Sequence, residues 1–299
     1  MPVSARLPFV AGLLACAVFS QNEAPFRSQL DLVVIPCSVV EAAVSPVHGL
    51  AREDFQVFDT NVPRVISYFS RDDDQPVTLG IIIDESDSQD SLVNEHRRTA
   101  LELLHRIIRP TDSAFVISVR EDIRLYRDLT LTQMESFGEP CPKGQGHSMC
   151  GDSPLWNAVY DAARLKLRDA IGNKALLLLT DGFDTGSTRT WSQAAGTAQM
   201  AGTVVYAIQY RSSSGSSYAP DLYRLIAETA GTWFPAKAGE LDSIVGRLET
   251  DLRRRYVIGF RPERVTLGKL RHEVRVEVRR PDYYVRDRKA YFEVPPPGK

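Results

Sequence analysis

Leu79-Gly80-Ile81-Ile82-Ile83-Asp84-Glu85-Ser86-Asp87-Ser88 is the stretch that decides the fold. Five apolar residues run directly into a carboxylate, and hydroxyls follow at alternate positions. A short apolar run without alternation, bounded by polar loop residues, is the pattern of a strand buried on both faces. Asp84, Ser86 and Ser88 therefore gather where such a strand ends. Hard oxygen donors collected there are what a small divalent cation requires. The carboxyl ends of strands are also where open α/β sheets bind their ligands.

Working outward, Ala175–Thr180 is a second continuous apolar run, and it too ends in an aspartate, Asp181. Helical spacing separates the two. Leu92, His96, Ala100, Leu103, Leu104, Ile107 and Ile108 share one face and Pro110 stops the helix. Leu155, Ala158, Val159, Ala162 and Leu165 mark another helix. Ala114–Val119 and Ile123–Tyr126 read as strands joined by a hairpin at Arg120-Glu121-Asp122. Beyond Asp181 come a helix with Trp191, Ala195 and Ala198, the strand Thr203–Gln209, and helices through Leu222–Thr229 and Leu241–Leu252. Strands apolar on both faces, alternating with helices over 77–252, predict an α/β domain. Its sheet is expected to be mostly parallel and covered on both sides.

The flanks read differently. Residues 28–75 hold Val33–Ile35, Cys37–Ala43, Phe55–Phe58 and Val65–Phe69 as short strands broken by Pro, Gly and Asp-Thr-Asn turns. Residues 255–295 hold Tyr256–Phe260, Val274–Val278 and Ala290–Val294. Each flank has too few strands to be stable alone, so the two are expected to pair as one small β domain. The charged stretch Arg71–Pro76 is the expected boundary.

The 299 residues are 43% hydrophobic and 25% charged, the composition of a soluble globular protein. The formal net charge of -2 hides an asymmetry. Leu252–Lys299 carries fourteen Lys/Arg against six Asp/Glu, a balance of +8, which leaves -10 for residues 1–251. A basic tail can address nucleic acid, but here it reads as a solvated hairpin with Arg on its outer face. The chain start argues for export and so against nucleic acid. Arg6 precedes the apolar run Leu7–Phe19, too short to span a bilayer, so residues 1–20 read as a signal peptide. Leu13-Leu14-Ala15-Cys16 is similar to a lipobox, but Ala17-Val18-Phe19 after the cysteine fits a lipid anchor poorly. A periplasmic or extracellular protein without a transmembrane segment is expected.

Such a compartment is oxidising. Cys141 and Cys150 bracket a short polar loop and are the natural disulfide pair, whereas Cys37 lies in an apolar run as a buried free thiol. Zinc on Cys141, His147 and Cys150 is the competing reading, but the spacing matches no standard site and no fourth ligand is close in sequence.

In a doubly wound sheet the strand ends at Asp84 and Asp181 can lie side by side at the point where the winding reverses. Two carboxylates converging there would repel, and a cation relieves the conflict. The set resembles the metal-ion-dependent adhesion site (MIDAS) of von Willebrand factor type A (VWA) domains. The pattern is Asp-x-Ser-x-Ser, then a Thr in a distant loop, then an Asp after a central strand. Asp84, Ser86 and Ser88 match the first element, and Asp181 in Leu176–Thr185 matches the third. Ser153, in Gly151-Asp152-Ser153-Pro154, takes the Thr position, and Asp87 stands where Gly is usual. Leu50–Asp59, Tyr223–Gly231 and Tyr256–Pro262 further resemble bacterial VWFA-related proteins of acidobacterial type. The resemblance implies a doubly wound, Rossmann-like α/β fold and a binding protein, not an enzyme. It implies that Asp84, Ser86, Ser88, Ser153 and Asp181 hold Mg²⁺ (or Mn²⁺ or Ca²⁺), and that an acidic side chain of a protein partner completes the shell.

Two alternatives stand beside it. One is a structural envelope module that holds no metal. The other is a metal-dependent phosphohydrolase, for which the chain offers no second ligand set and no Gly-rich phosphate loop with Lys. Of the five histidines, only His147 lies near a candidate loop in sequence, while His96 and His105 fit helix faces.

Overall fold

The computed structural model of the chain describes residues 32–41, 45–71, 75–120, 123–129, 143–144, 147–148, 151–211, 218–236, 240–262, 271–287 and 290–292. The expected leader and the Cys141–Cys150 pair lie outside the described residues. So does the environment of the His147 side chain. Every element below belongs to the unit Asp31–Lys299.

The N-terminal flank forms β1 (Val33–Glu41), β2 (Ser45–Pro46), β3 (Phe55–Asp59), β4 (Val62–Arg64) and β5 (Ile66–Arg71). The central region follows as β6 (Val77–Asp84), α1 (Val93–Ile107), β7 (Ser113–Val119) and β8 (Ile123–Leu129). Two short bridges come next, β9 (Lys143–Gly144) and β10 (His147–Ser148). Then come α2 (Leu155–Ala162), β11 (Asn173–Thr180), α3 (Trp191–Met200), β12 (Thr203–Gln209), α4 (Pro220–Glu228), β13 (Trp233–Pro235) and α5 (Leu241–Arg253). The chain finishes with β14 (Tyr256–Phe260), β15 (Arg271–Val278), β16 (Tyr283–Asp287) and β17 (Ala290–Phe292).

The central sheet runs β13-β12-β11-β6-β7-β8, parallel throughout except for β8, which returns antiparallel beside β7. From β6 the chain winds outward through β7 to β8, then crosses back to start β11 on the other side of β6. The winding therefore reverses between β6 and β11. This is the doubly wound α/β arrangement that the resemblance to VWA domains implies, and its switch point is where ligands bind in such sheets.

Alternation within the strands feeds two cores. Leu79, Ile81, Ile83, Leu177, Leu179, Tyr206 and Ile208 pack with α1 and α5. Ile82, Phe115, Ile117, Leu176, Leu178, Val205 and Ala207 pack with α2, α3 and α4. Each fully buried Leu or Ile contributes about 1.5–3 kcal/mol relative to exposure. Gly80 leaves space between β6 and its neighbours, since a methyl there would collide with the Phe115 ring and the Leu176 side chain.

The two flanks pair with each other as expected. β14 lies between β1 and β5, β16 borders β1, and β15 pairs with β3, all antiparallel. Their shared core includes Ile35, Cys37, Phe55, Val57, Tyr256, Ile258 and Phe260. Cys37 is a buried free thiol, and burial pushes its pKa up.

Several local expectations change. β1 continues through Pro36, because β1 pairs only with β14 over Val33–Pro36 and a proline is tolerated where one side of a strand has no partner. Leu165, expected on the α2 core face, is exposed. The helix widens into a π turn over Ala163–Leu167, and the added residue per turn shifts the apolar phase to Ala163 and Leu167. Trp233–Pro235, with three residues, is too short to be found by pattern, and Tyr283–Asp287, ending in Arg and Asp, shows no clear alternation.

Candidate metal centre

Asp84 is the last residue of β6 and Asp181 the first after β11. The parallel register pairs Leu179 with Ile83, so Thr180 comes level with Asp84 and Asp181 follows one residue beyond on the adjacent strand. Thr180 stands between them. Its hydroxyl donates to Asp84 Oδ2 at 2.6 Å and accepts from the Gly182 amide at 2.9 Å. Asp84 Oδ1 accepts from the Ser86 amide at 3.1 Å. Ser86 Oγ and Ser88 Oγ lie 3.2 Å apart, and Ser88 Oγ donates to Asp181 Oδ2 at 2.8 Å. Four residues read from the sequence, Asp84, Ser86, Ser88 and Asp181, thus form one hydrogen-bonded set.

Ser86 occupies the N-cap position of the 3-10 turn Asp87–Leu92 that leads into α1, yet its side chain makes no capping bond. Helix capping therefore does not account for these hydroxyls. Asp87, the departure from the family pattern, has a clear task. Its Oδ1 accepts from the Gly151 amide at 3.1 Å, which ties the first loop to the loop that carries Ser153.

That second loop is held from the other side as well. The Ser153 amide donates to Thr185 Oγ1 at 2.8 Å, and its carbonyl accepts from the Thr185 amide at 2.9 Å. Asp184 Oδ1 accepts from the Trp156 amide at 2.9 Å, in the first turn of α2, and from Ser187 Oγ at 2.5 Å. The segments after β6, before α2 and after β11 are thereby fastened together. Within them Ser153 is 2% exposed, and its Oγ has no hydrogen-bond partner among the described residues. A buried hydroxyl without a partner is costly and calls for an explanation.

Asp84 and Asp181 are both fully buried. Among the described residues, neither forms an ion pair with a Lys or Arg. Burial lifts the Asp84 carboxyl to about 6, with the Asp181 charge adding to the rise and hydrogen bonds from Ser86 and Thr180 opposing it. Gln89 supplies one neutral donor: its Nε2 lies 2.9 Å from Asp181 Oδ2 and 3.1 Å from the Ser88 carbonyl.

The residues fit a hard divalent cation. The donors are two carboxylates and three hydroxyls, all oxygen, and one hydroxyl is buried without a partner. Among the described residues there is no group of three or more His, Cys, Asp and Glu side chains placed to hold a metal ion, so a cation here would depend on the hydroxyls beside the two carboxylates. When bound, Mg²⁺ would neutralise the paired carboxylates and act as a Lewis acid toward an incoming oxygen donor. Asp84, Ser86, Ser88, Ser153 and Asp181 are the groups that would hold it.

Three neighbours of this set take roles that the sequence did not show. Glu85, in the loop directly after Asp84, is fully buried. Its Oε1 accepts from Arg97 Nε at 2.6 Å, and its Oε2 accepts from Arg120 Nε at 2.7 Å and from Arg120 Nη2. Burial alone would raise its pKa, but the two guanidiniums hold it below the usual value. His96, read only as a residue of a helix face, brings Nδ1 to 3.0 Å from the Asp84 carbonyl and its ring to 4.1 Å from that of Tyr210. Burial lowers its pKa to about 4, so it is neutral at pH 7. Thr180 was counted as a strand residue; its place directly before Asp181 was the available signal.

No family model matches the chain, and no curated protein matches it in sequence. Among solved structures it is similar to the conserved hypothetical protein BatB of Bacteroides thetaiotaomicron, at 18% identity over 58% of this chain and 96% of that one, with a TM-score of 0.42. It is similar to an aerotolerance-related membrane protein of Bacteroides fragilis, at 17% identity over 59% and 98%, with a TM-score of 0.40. It is also similar to proximal thread matrix protein 1 of the mussel byssus, at 14% identity over 65% and 50%, with a TM-score of 0.49. The chain thus spans half the length of the mussel protein. The α/β fold is assigned from the strand order and register described above.

Proposed function

We propose that this chain is an exported VWA-type binding module, not an enzyme, and that it engages a protein partner through a MIDAS-like centre. The observation that carries the reading is the buried pair Asp84 and Asp181, with no Lys or Arg ion pair among the described residues; Asp84 accepts from the Thr180 hydroxyl and Asp181 from that of Ser88. Two like charges held together without a counter-ion favour a cation between them. Mg²⁺ keeps several waters in such a site, and a partner's Asp or Glu would displace one. With only two anionic protein ligands, the ion stays electrophilic and attracts a third carboxylate. Export to the periplasm or beyond rests on the leader-like residues 1–20.

Calorimetric titration of Mg²⁺ or Mn²⁺ into chelator-treated protein tests the reading. One saturable site is expected, abolished by Asp84→Ala or Asp181→Ala. A pull-down from the native envelope should yield a partner that EDTA releases. Absence of saturable binding at millimolar metal, or binding unaffected by Asp84→Ala, would refute the proposal.

A further inference from the structure

A cavity lies at the end of the central sheet opposite the candidate metal centre. It occupies about 540 Å³ and is lined on one side by Asn173 and Lys174 of β11, Val204 of β12 and the α3–β12 turn. Across from these stand Val33, Val34 and Pro36 of β1, Tyr68 of β5 and Val257 of β14. It therefore sits where the amino ends of the parallel strands face the flanking antiparallel sheet. Asp181 follows the other end of β11, and eight residues of strand separate the two ends. At about 3.3 Å per residue, the cavity lies more than about 20 Å from the candidate metal centre.

The lining has two chemistries. Val33, Val34, Val204, Leu252 and Val257 give it an apolar wall. Arg168, Lys174 and Arg255 give it three positive charges, and among the described residues no Asp or Glu lines it. Arg255 is 3% exposed. Among the described residues its Nη1 donates to the Tyr206 hydroxyl at 3.1 Å, its Nη2 reaches the Ala230 carbonyl at 3.5 Å, and its Nε has no partner. Among the described residues this buried guanidinium has no carboxylate in salt-bridge contact, which is unusual for so buried a charge. Lys174 is half-buried. Its ammonium donates to the Arg168 carbonyl at 3.0 Å, and burial lowers its pKa, opposed by the charge of Asp169, which does not line the cavity. A cleft of this volume is in the range of small-molecule sites.

We infer that this cavity is a binding site for an amphipathic oxyanion, with its charged head at Lys174, Arg168 and Arg255 and its apolar body against Val33, Val204 and Val257. A carboxylate or phosphate head would restore the charge balance that the lining lacks. The apolar wall would exclude fully hydrated ions from the rest of the cleft. The site is independent of the metal centre and needs no divalent cation.

Calorimetry with decanoate and with decyl phosphate, below their aggregation concentrations and in EDTA, tests the inference on the full chain. One site per protein is expected, with decanol at least tenfold weaker. Lys174→Met should weaken binding about tenfold, the scale of one charge-assisted hydrogen bond. Met200 lines the mouth and is 61% exposed, so Met200→Glu adds a repelling charge without disturbing the core and should weaken binding similarly. Decanoate and decyl phosphate are free amphiphiles. Vesicles carrying anionic lipid, bound in a Lys174-dependent way while both free probes fail, would place the same head-group chemistry in a membrane and overturn the small-molecule reading. Failure of every probe, equal affinity for decanol, or indifference to both substitutions would overturn the inference altogether. Because EDTA is present throughout, none of these outcomes depends on the metal centre.

Discussion

Replacing Glu85 by Ala is expected to be the most destabilising single change near the candidate centre. The side chain is fully buried between Arg97 and Arg120, whose own side chains are 10% and 7% exposed. Three charge-assisted hydrogen bonds converge on its two oxygens. Taken singly, such bonds are worth about 1.5–3 kcal/mol each, but their sum overstates the loss because the arginines relax toward other partners. Removing one member of a buried ion pair costs about 3–5 kcal/mol, mainly from the charge left behind. A domain of ordinary stability, about 5–15 kcal/mol, would lose a third or more. Urea unfolding followed by circular dichroism should show a lower midpoint at unchanged slope. The triple replacement Glu85→Leu, Arg97→Met and Arg120→Met removes all three charges together and should recover most of the loss. A loss below about 1 kcal/mol in Glu85→Ala, or a triple variant no better than the single one, would refute the view that this triad anchors the loop after β6.

Two further outcomes follow from particular contacts. Ser153→Ala deletes a buried hydroxyl without a partner, so metal-free stability should hold or rise by up to about 1 kcal/mol, while the thermal shift produced by Mg²⁺ shrinks; loss of stability without metal would contradict this. Asp112 accepts from the Val77 and Arg109 amides at 2.8 Å each and from Arg253 Nη2 at 2.5 Å. Burial alone would raise its pKa, but Arg253 and the two amides hold it below the usual value. Its stabilisation is therefore full above the unfolded value, about 3.9, and is lost as pH falls through the lower folded value. Asp112→Asn should cost about 2–4 kcal/mol at pH 7, and the gap to the parent should close as pH drops below about 4. A gap independent of pH would rule out the ion-pair account.

The buried strands were legible in the sequence because both faces of a central parallel strand are covered, so Ile81–Ile83 and Leu176–Leu179 carry no polar residue to obscure them. Asp84 and Asp181 were legible for the same reason, since each interrupts such a run. The edge strand Trp233–Pro235 was not, because three residues with one side uncovered leave no period to detect. The basic C-terminal stretch was only half read. Arg253 and Arg255 are buried at Asp112 and Tyr206, not displayed on a hairpin face, and formal charge says nothing about the partners a fold supplies.

By itself the sequence determined the alternation of strands and helices, the strand ends that carry Asp84 and Asp181, and the hydroxyls that follow the first of them. These are local properties, written in periodicity and in the order of donors along the chain. Only the tertiary structure decided that Asp87 clasps Gly151, that Glu85 turns inward to two arginines, that His96 lies against the Asp84 backbone, and that Ser153 is buried with a hydroxyl left over. Each joins segments separated by at least eleven positions or depends on which face of a loop meets the core. Burial and hydrogen bonding across such distances are set by the packing of strands and helices, which no window of sequence contains.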